Sequence, residues 1–241
     1  MTKQQQPQKE PTVLALLRQP SLQTQLEAAT PAFARKYMSP DRIVRLAITE
    51  FRRTPGLARC TPQSVLSCLF QATQLGLSVD SNLQLAHLVP YRRKDKDSGR
   101  FYWECNFIPG YKGLMALSRR TGEVNDLYPE VVREGDVFTV SRGTSPDLKH
   151  EQKVEVPKFD SEGNLIVEER QAVAYYAVAF MKNGSKPFQW MSLVEIEKIR
   201  QISKAKNGPW INFYDSMAKK TVIRQLCKWL PSTVELDTAI A

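Results

Sequence analysis

Five carboxylates, Glu123, Asp126, Glu130, Glu134 and Asp136, crowd a short stretch of the chain. Such a gathering is what a metal-dependent nuclease needs to hold Mg2+. Their spacing is irregular, however, and charge on solvated loops and strand edges is the better reading. The two histidines, His87 and His150, fall in no metal-ligand spacing such as H-E-x-x-H. A lone histidine is more often packed or exposed than catalytic. Nothing matches the phosphate-cradling G-x-x-x-x-G-K-[ST] or the dinucleotide G-x-G-x-x-G. No catalytic residue is assigned, ATP-driven chemistry is not expected, and the chain reads as a binding protein rather than an enzyme.

The remaining chemistry lies in cations and rings. Lys and Arg number 34 against 25 Asp and Glu, a net charge of +9, and such a field favours encounter with a polyanion. Residues 86–120 hold eight basic and three acidic side chains, and residues 182–228 ten and three. These two blocks therefore carry +12 and the rest of the chain −3. Aromatics interleave with the cations: Tyr91, Phe101, Tyr102, Trp103, Phe107 and Tyr111 in the first block, and Phe188, Trp190, Trp210, Phe213 and Tyr214 in the second. Single-strand binders need that mixture, because cations track phosphates while rings stack on bases. Trp103, Phe107 and Trp190, on strand-like runs, are assigned to the core instead.

The elements that must position these groups follow from periodicity and punctuation. Residues 1–11 are Gln, Lys and Pro without hydrophobic period and read as a disordered leader. Helical spacing follows at 13–17 and 22–29. Ser39-Pro40 and Thr61-Pro62 begin two more helices, the second stopped by Gly76. Strand-like residues 86–92 and 101–108 flank a charged tip, which gives a basic β-hairpin. A short helix over 110–120 ends at Gly122. Strands are expected at 124–133, 137–141, 171–181 and 187–191, with Asn183-Gly184 as a hairpin turn. Ser192 to Glu195 forms a capping box, opening a helix to about residue 204, and a final helix spans about 210–230. There Lys220, Arg224 and Lys228 form a stripe at i, i+4, i+8, expected to point away from the sheet, whereas Ala218, Val222, Leu226, Trp229 and Leu230 share the apolar sector packed against it.

The expected fold is α+β, with a helical N-terminal part, a central antiparallel-rich β-sheet carrying the basic β-hairpin, and C-terminal helices packed on the sheet. Residues 12–241 are expected to form a single domain, helical and oligomerisation-prone over 12–85, mainly β over 86–191, helical and basic over 192–231. The short N-terminal helices are candidates for a subunit contact. The longest apolar run, residues 172–181, is too short to span a bilayer, and no membrane association is expected. Cys60, Cys68, Cys105 and Cys227 lack C-x-x-C spacing and read as reduced, packed thiols of a cytoplasmic protein.

Ile108-Pro109-Gly110-Tyr111-Lys112-Gly113-Leu114-Met115 contains a G-x-x-G, which elsewhere clamps a nucleic-acid backbone. Followed by Arg119-Arg120-Thr121-Gly122, it resembles the central signature of the RecT family of phage recombinases. Collinear stretches extend the resemblance over roughly residues 12–235: Gln74-Leu75-Gly76-Leu77, Leu88-Val89-Pro90-Tyr91, Val131 to Asp136, Asn207-Gly208-Pro209-Trp210, Met217-Ala218-Lys219-Lys220-Thr221 and Leu230-Pro231. Membership implies ATP-independent binding of single-stranded DNA and annealing of complementary strands into a duplex during recombination. It also implies a homo-oligomer, ring or helical filament, a cognate 5′-to-3′ exonuclease and host single-strand binding protein as partners, and the cytoplasm of a bacterial host. No cofactor is expected, with Mg2+ entering only as a modulator of DNA binding. Two departures stand out: Ala116 replaces an acidic residue of many relatives, and the chain stops at Ala241 where many continue into an acidic tail. The alternative reading is a generic single-strand binder that protects DNA without annealing it. The residues expected at DNA are Arg92, Arg93 and Lys94; Tyr111, Lys112, Arg119 and Arg120; Lys204, Lys206 and Trp210; and Lys219, Lys220, Arg224 and Lys228.

Overall fold

A computed structural model of the chain describes residues 12–154, 156–166, 170–203, 208–231 and 233–240. It divides into two compact units, Met1–Gly113 and Leu114–Ala241. The leader expected over residues 1–11 lies outside the described residues.

In the first unit, α1 (Val13–Leu17), α2 (Pro20–Ala29), α3 (Pro40–Arg53) and α4 (Pro62–Gln74) surround one apolar core, with a 3-10 turn at Pro55–Arg59. The Ser39 side chain accepts the Arg42 N–H and Pro40 stands at the first helical position, so α3 begins where the sequence signals it. Asp41 in its first turn and Arg52 and Arg53 in its last oppose the helix dipole. Helix α4 closes on Gly76, whose φ of 58° is the left-handed value a Cβ would resist. Gly76 N–H donates to Thr73 and Leu77 N–H to Ala72, satisfying two terminal carbonyls.

Val13, Leu17, Leu22 and Leu26 are buried against α3 and α4 in this same core. The apolar face that motivated the expectation of a subunit contact is thus covered within one protomer. Four large side chains already bury their apolar face within one protomer, and exposing them would cost about 2 kcal/mol or more each.

Strands β1 (Ala86–Lys94) and β2 (Phe101–Pro109) form the expected antiparallel hairpin, in register from Ala86 opposite Pro109 to Lys94 opposite Phe101. Its base is held by α4, where Ser64 Oγ accepts the Cys105 N–H at 3.0 Å and Thr61 N–H reaches the Trp103 carbonyl at 3.1 Å. Trp103 and Phe107 pack against the core, as expected of rings on strand-like runs. Helix α5 (Tyr111–Arg120) follows directly.

The second unit is built on a three-stranded antiparallel sheet of order β3 (Val124–Arg133), β8 (Ala172–Met181), β9 (Phe188–Ser192). Between β3 and β8 the chain makes two hairpins, β4 (Val137–Ser141) with β5 (Asp147–Glu151), and β6 (Lys158–Phe159) with β7 (Leu165–Ile166). One face of the sheet is covered by α8 (Tyr214–Cys227), and on the other Phe138 and Leu148 of the first hairpin pack against Val132, Tyr176, Val178 and Trp190. Ser192 and Glu195 make the capping box that starts α6 (Leu193–Ile202). The fold is α+β, and the paired strands of the described residues are antiparallel.

The final helix is interrupted. It splits into α7 (Pro209–Asn212) and α8, because Phe213 adopts φ −139° and ψ 50°, outside the helical region. A further helix, α9 (Val234–Ile240), follows Pro231 and buries Leu236, Ala239 and Ile240. Trp229 departs from the apolar sector expected of it, with 79% of its surface exposed, whereas Ala218, Val222, Leu226 and Leu230 are buried.

Candidate nucleic-acid interface

At the hairpin tip, Arg92 and Lys94 are exposed, and alternation along β1 sends Arg93 to the opposite face. The Arg92 guanidinium lies over the Phe101 ring at 4.1 Å, which leaves cation and ring presented together. Arg93 is committed elsewhere. Its Nε sits 2.8 Å from Glu104 Oε2 as an ion pair without hydrogen-bond alignment. Asp95 is taken up by the turn, where Ser98 donates to it from backbone and side chain, lowering its pKa.

The G-x-x-G motif has a packing explanation. A Cβ on Gly110 would stand 2.2 Å from the Gln84 carbonyl oxygen, and one on Gly113 2.1 Å from that of Leu85. Both glycines therefore let the first turn of α5 sit directly on the backbone of residues 84 and 85, where Gly110 N–H donates to Leu85 at 2.9 Å. Gln84 itself takes a positive φ of 56°. Lys112, between the glycines, is exposed, and Tyr111 is half-buried.

Farther along α5, Arg119 reaches Asp126 at 2.6 Å, and this hydrogen bond holds the Asp126 carboxyl below its usual range. Arg120 is half-buried.

The α8 stripe is less open than helical spacing implies. Arg224 donates from Nε and Nη2 to the Ile240 carbonyl, closing the end of α9. Lys220 is half-buried, and desolvation, reinforced by repulsion from Arg224, pushes its pKa down to about 8. Lys228 is exposed, and Lys219 lies 3.5 Å from Glu130 on the edge strand. Trp210 is corrected more strongly. Only 2% of it is exposed, edge-on to Tyr214 at 5.7 Å between centroids, so its ring is not offered to a base. Lys204 and Lys206 lie outside the described residues.

The acidic stretch also needs correction at one position. Asp136 is not solvated: its carboxylate is 1% exposed and accepts from Arg170 at 2.5 Å, from the backbone N–H groups of Arg133 and Lys153, and from His150 at 3.0 Å. Burial alone would raise its pKa, but these four donors reverse the shift and hold it well below the carboxylate range. A second pair follows on the α8 side, where Arg133 meets Asp215 at 2.8 Å and the Tyr175 hydroxyl donates to the same carboxylate. Among the described residues no three His, Cys, Asp or Glu side chains gather to hold a metal ion, and no helix is long and apolar enough to cross a membrane.

Sequence reasoning missed the sheet face opposite α8. There Tyr128, Phe180, Phe188 and Trp190 stand on three neighbouring strands. The i, i+2 spacing of Phe188 and Trp190 was the available signal.

The RecT family profile covers residues 41–241. The chain belongs to the RecT family. It is 37% identical to Protein RecT of Escherichia coli (strain K12) over 230 residues, 95% of this chain and 79% of that protein. It is 30% identical to YqaK of Bacillus subtilis (strain 168) over 186 residues, 76% of this chain and 57% of that one. As a RecT-family chain it places the G-Y-K-G segment, the 119–120 arginine pair and the Met217 to Thr221 segment within the matched region.

Proposed function

We propose that this chain binds single-stranded DNA and anneals complementary strands during recombination, without ATP and as an oligomer, ring or filament, on the DNA. The observation that carries the reading is the family match over residues 41–241. Solvent-facing Arg92, Lys94, Lys112 and Lys228 support it, because each can neutralise one phosphate without first breaking an ion pair among the described residues. Repetition of such a basic protomer along one strand supplies the charge needed to admit a second phosphate backbone. The reading needs no cofactor for pairing, with Mg2+ acting only on DNA binding, and it places the protein in a bacterial cytoplasm beside a 5′-to-3′ exonuclease and a single-strand binding protein.

Mixing complementary fluorescent oligonucleotides with the protein tests it. Pairing should accelerate without nucleotide and without cleavage. Acceleration only with ATP would overturn the reading, and protection without acceleration would leave a generic single-strand binder.

A further inference from the structure

The sheet face opposite α8 carries more aromatic surface than its covering hairpin occupies. Register places Tyr128 and Val178 opposite each other, as are Val178 and Phe188, while Tyr176 is paired with Trp190. Side chains at these positions share one face. Phe138 of β4 covers the Tyr176 and Trp190 end, stacking on Tyr176 at 5.9 Å and meeting Trp190 edge-on at 6.2 Å. The other end has no such lid among the described residues. There Tyr128 and Phe180 stack at 5.7 Å with 24° between ring planes, and Tyr128 remains 40% exposed. Phe188 is half-buried beside them.

Charge decides what fits this shelf. Lys186, in the turn between β8 and β9, holds its ammonium 5.7 Å from the Phe180 ring centroid, and Lys182 stands exposed at the same turn. No carboxylate of the described residues forms an ion pair with either lysine. Asp126 and Glu130, on the same strand as Tyr128, are already matched by Arg119 and Lys219. A second copy of a chain with net charge +9 would bring cations toward two unneutralised lysines. A polyanion with flat, stackable rings satisfies both the lysines and the aromatics.

We infer that Tyr128, Phe180 and Phe188 form a base-stacking shelf for single-stranded nucleic acid, with Lys182 and Lys186 taking its phosphates. This rests on the single-strand binding proposed above and locates a base contact distinct from the hairpin tip and the α8 stripe. Stacking on rings is sequence-tolerant, because every base offers a π face. The shelf therefore adds affinity without base preference and leaves the pairing edges of the stacked bases open.

The test compares binding of the full-length protein to a fluorescent thymidine oligonucleotide and to an abasic oligonucleotide of the same length, which keeps the phosphates and lacks the rings. The Tyr128→Leu/Phe180→Leu protein keeps apolar volume and should remain folded by circular dichroism. It should bind the thymidine probe about tenfold or more weakly, with affinity for the abasic probe unchanged. Tyr128→Phe, which keeps the ring, should bind as the parent does. Lys186→Gln should weaken both probes alike. Unchanged thymidine affinity in the double variant, equal loss on both probes, or a smaller oligomer that still prefers the thymidine to the abasic probe as the parent does would overturn the shelf while the parent's annealing stands. A parent protein that binds neither probe would overturn the proposed function itself.

Discussion

The imidazole of His150 bridges the Asp136 carboxylate and the Tyr176 hydroxyl, at 3.0 Å from Nε2 and 3.2 Å from Nδ1. An ionised carboxylate can only accept, so Nε2 carries the proton it donates, and in the neutral ring Nδ1 receives the tyrosine hydroxyl. Asp136 thus ties the β3–β4 turn to β5 and, through this ring, to the central strand β8.

Asp136→Asn should therefore destabilise the second unit by about 3 kcal/mol at neutral pH, because the buried carboxylate that accepts from Arg170, His150 and two backbone N–H groups is lost. The native pKa of Asp136 is depressed. Its contribution is accordingly complete above the ordinary aspartate value of 3.8 and disappears as the pH falls through the lower native value. Urea unfolding across the acid range should show parent and variant converging on acidification. A constant gap between them would refute the assignment.

In the G-Y-K-G segment the glycines and the lysine should separate by phenotype. Gly113→Ala forces a Cβ against the Leu85 carbonyl oxygen and should cost about 1–3 kcal/mol or more, read as a lower melting temperature. Lys112→Ala, at an exposed position, should leave melting unchanged and weaken DNA binding. Identical behaviour of the two variants would contradict the packing explanation.

The hairpin tip predicts an asymmetry. Replacing Arg92 and Lys94 together with Gln should lower the slope of log affinity against log salt by about 1.4, at roughly 0.7 per phosphate on a single strand. Arg93→Gln should change it far less, since Glu104 already neutralises that charge. Salt titrations of the three proteins decide the matter.

Lys220 should make binding sensitive to mild alkali. With its pKa near 8, its charge is lost between about pH 7 and pH 9, where an ordinary lysine stays protonated. DNA affinity should fall over that interval, and Lys220→Arg, which keeps its charge, should flatten the profile. Superimposable profiles would remove Lys220 from the interface.

Much of this architecture is legible in local signals. Ser39, Gly76, Gly122, Asn183-Gly184 and the Ser192 capping box each mark a boundary by a backbone requirement that no distant contact alters. What sequence could not convey is which side chains a tertiary contact consumes. Arg224 lies on an apparently solvated stripe, but α9, separated from α8 by Pro231, returns to take its guanidinium. Asp136 looks like its acidic neighbours until Arg170, 34 residues away, closes on it. Trp229 leaves the apolar sector because α8 ends at Cys227, two residues short of it, and Trp210, expected at DNA, is buried edge-on to Tyr214. The expectation that α1 and α2 leave an apolar face uncovered failed for a related reason: a short helix looks unable to bury itself only until its neighbours are known.

The long excursion between β3 and β8 has a bearing on how the second unit assembles. The β4–β5 and β8–β9 hairpins join residues near in sequence and can form in microseconds. Pairing of β3 with β8 must instead close a loop of several dozen residues, a cost that grows slowly with loop length but precedes any reward. The ends of that loop are fastened at its neck, where Glu134 N–H donates to Gln171 and Arg170 reaches both the Glu134 carbonyl and Asp136. Such a latch fixes the neck, so length can change beyond the β4–β5 hairpin, whose Phe138 and Leu148 pack on the sheet, while the scaffold holding the aromatic face keeps its register.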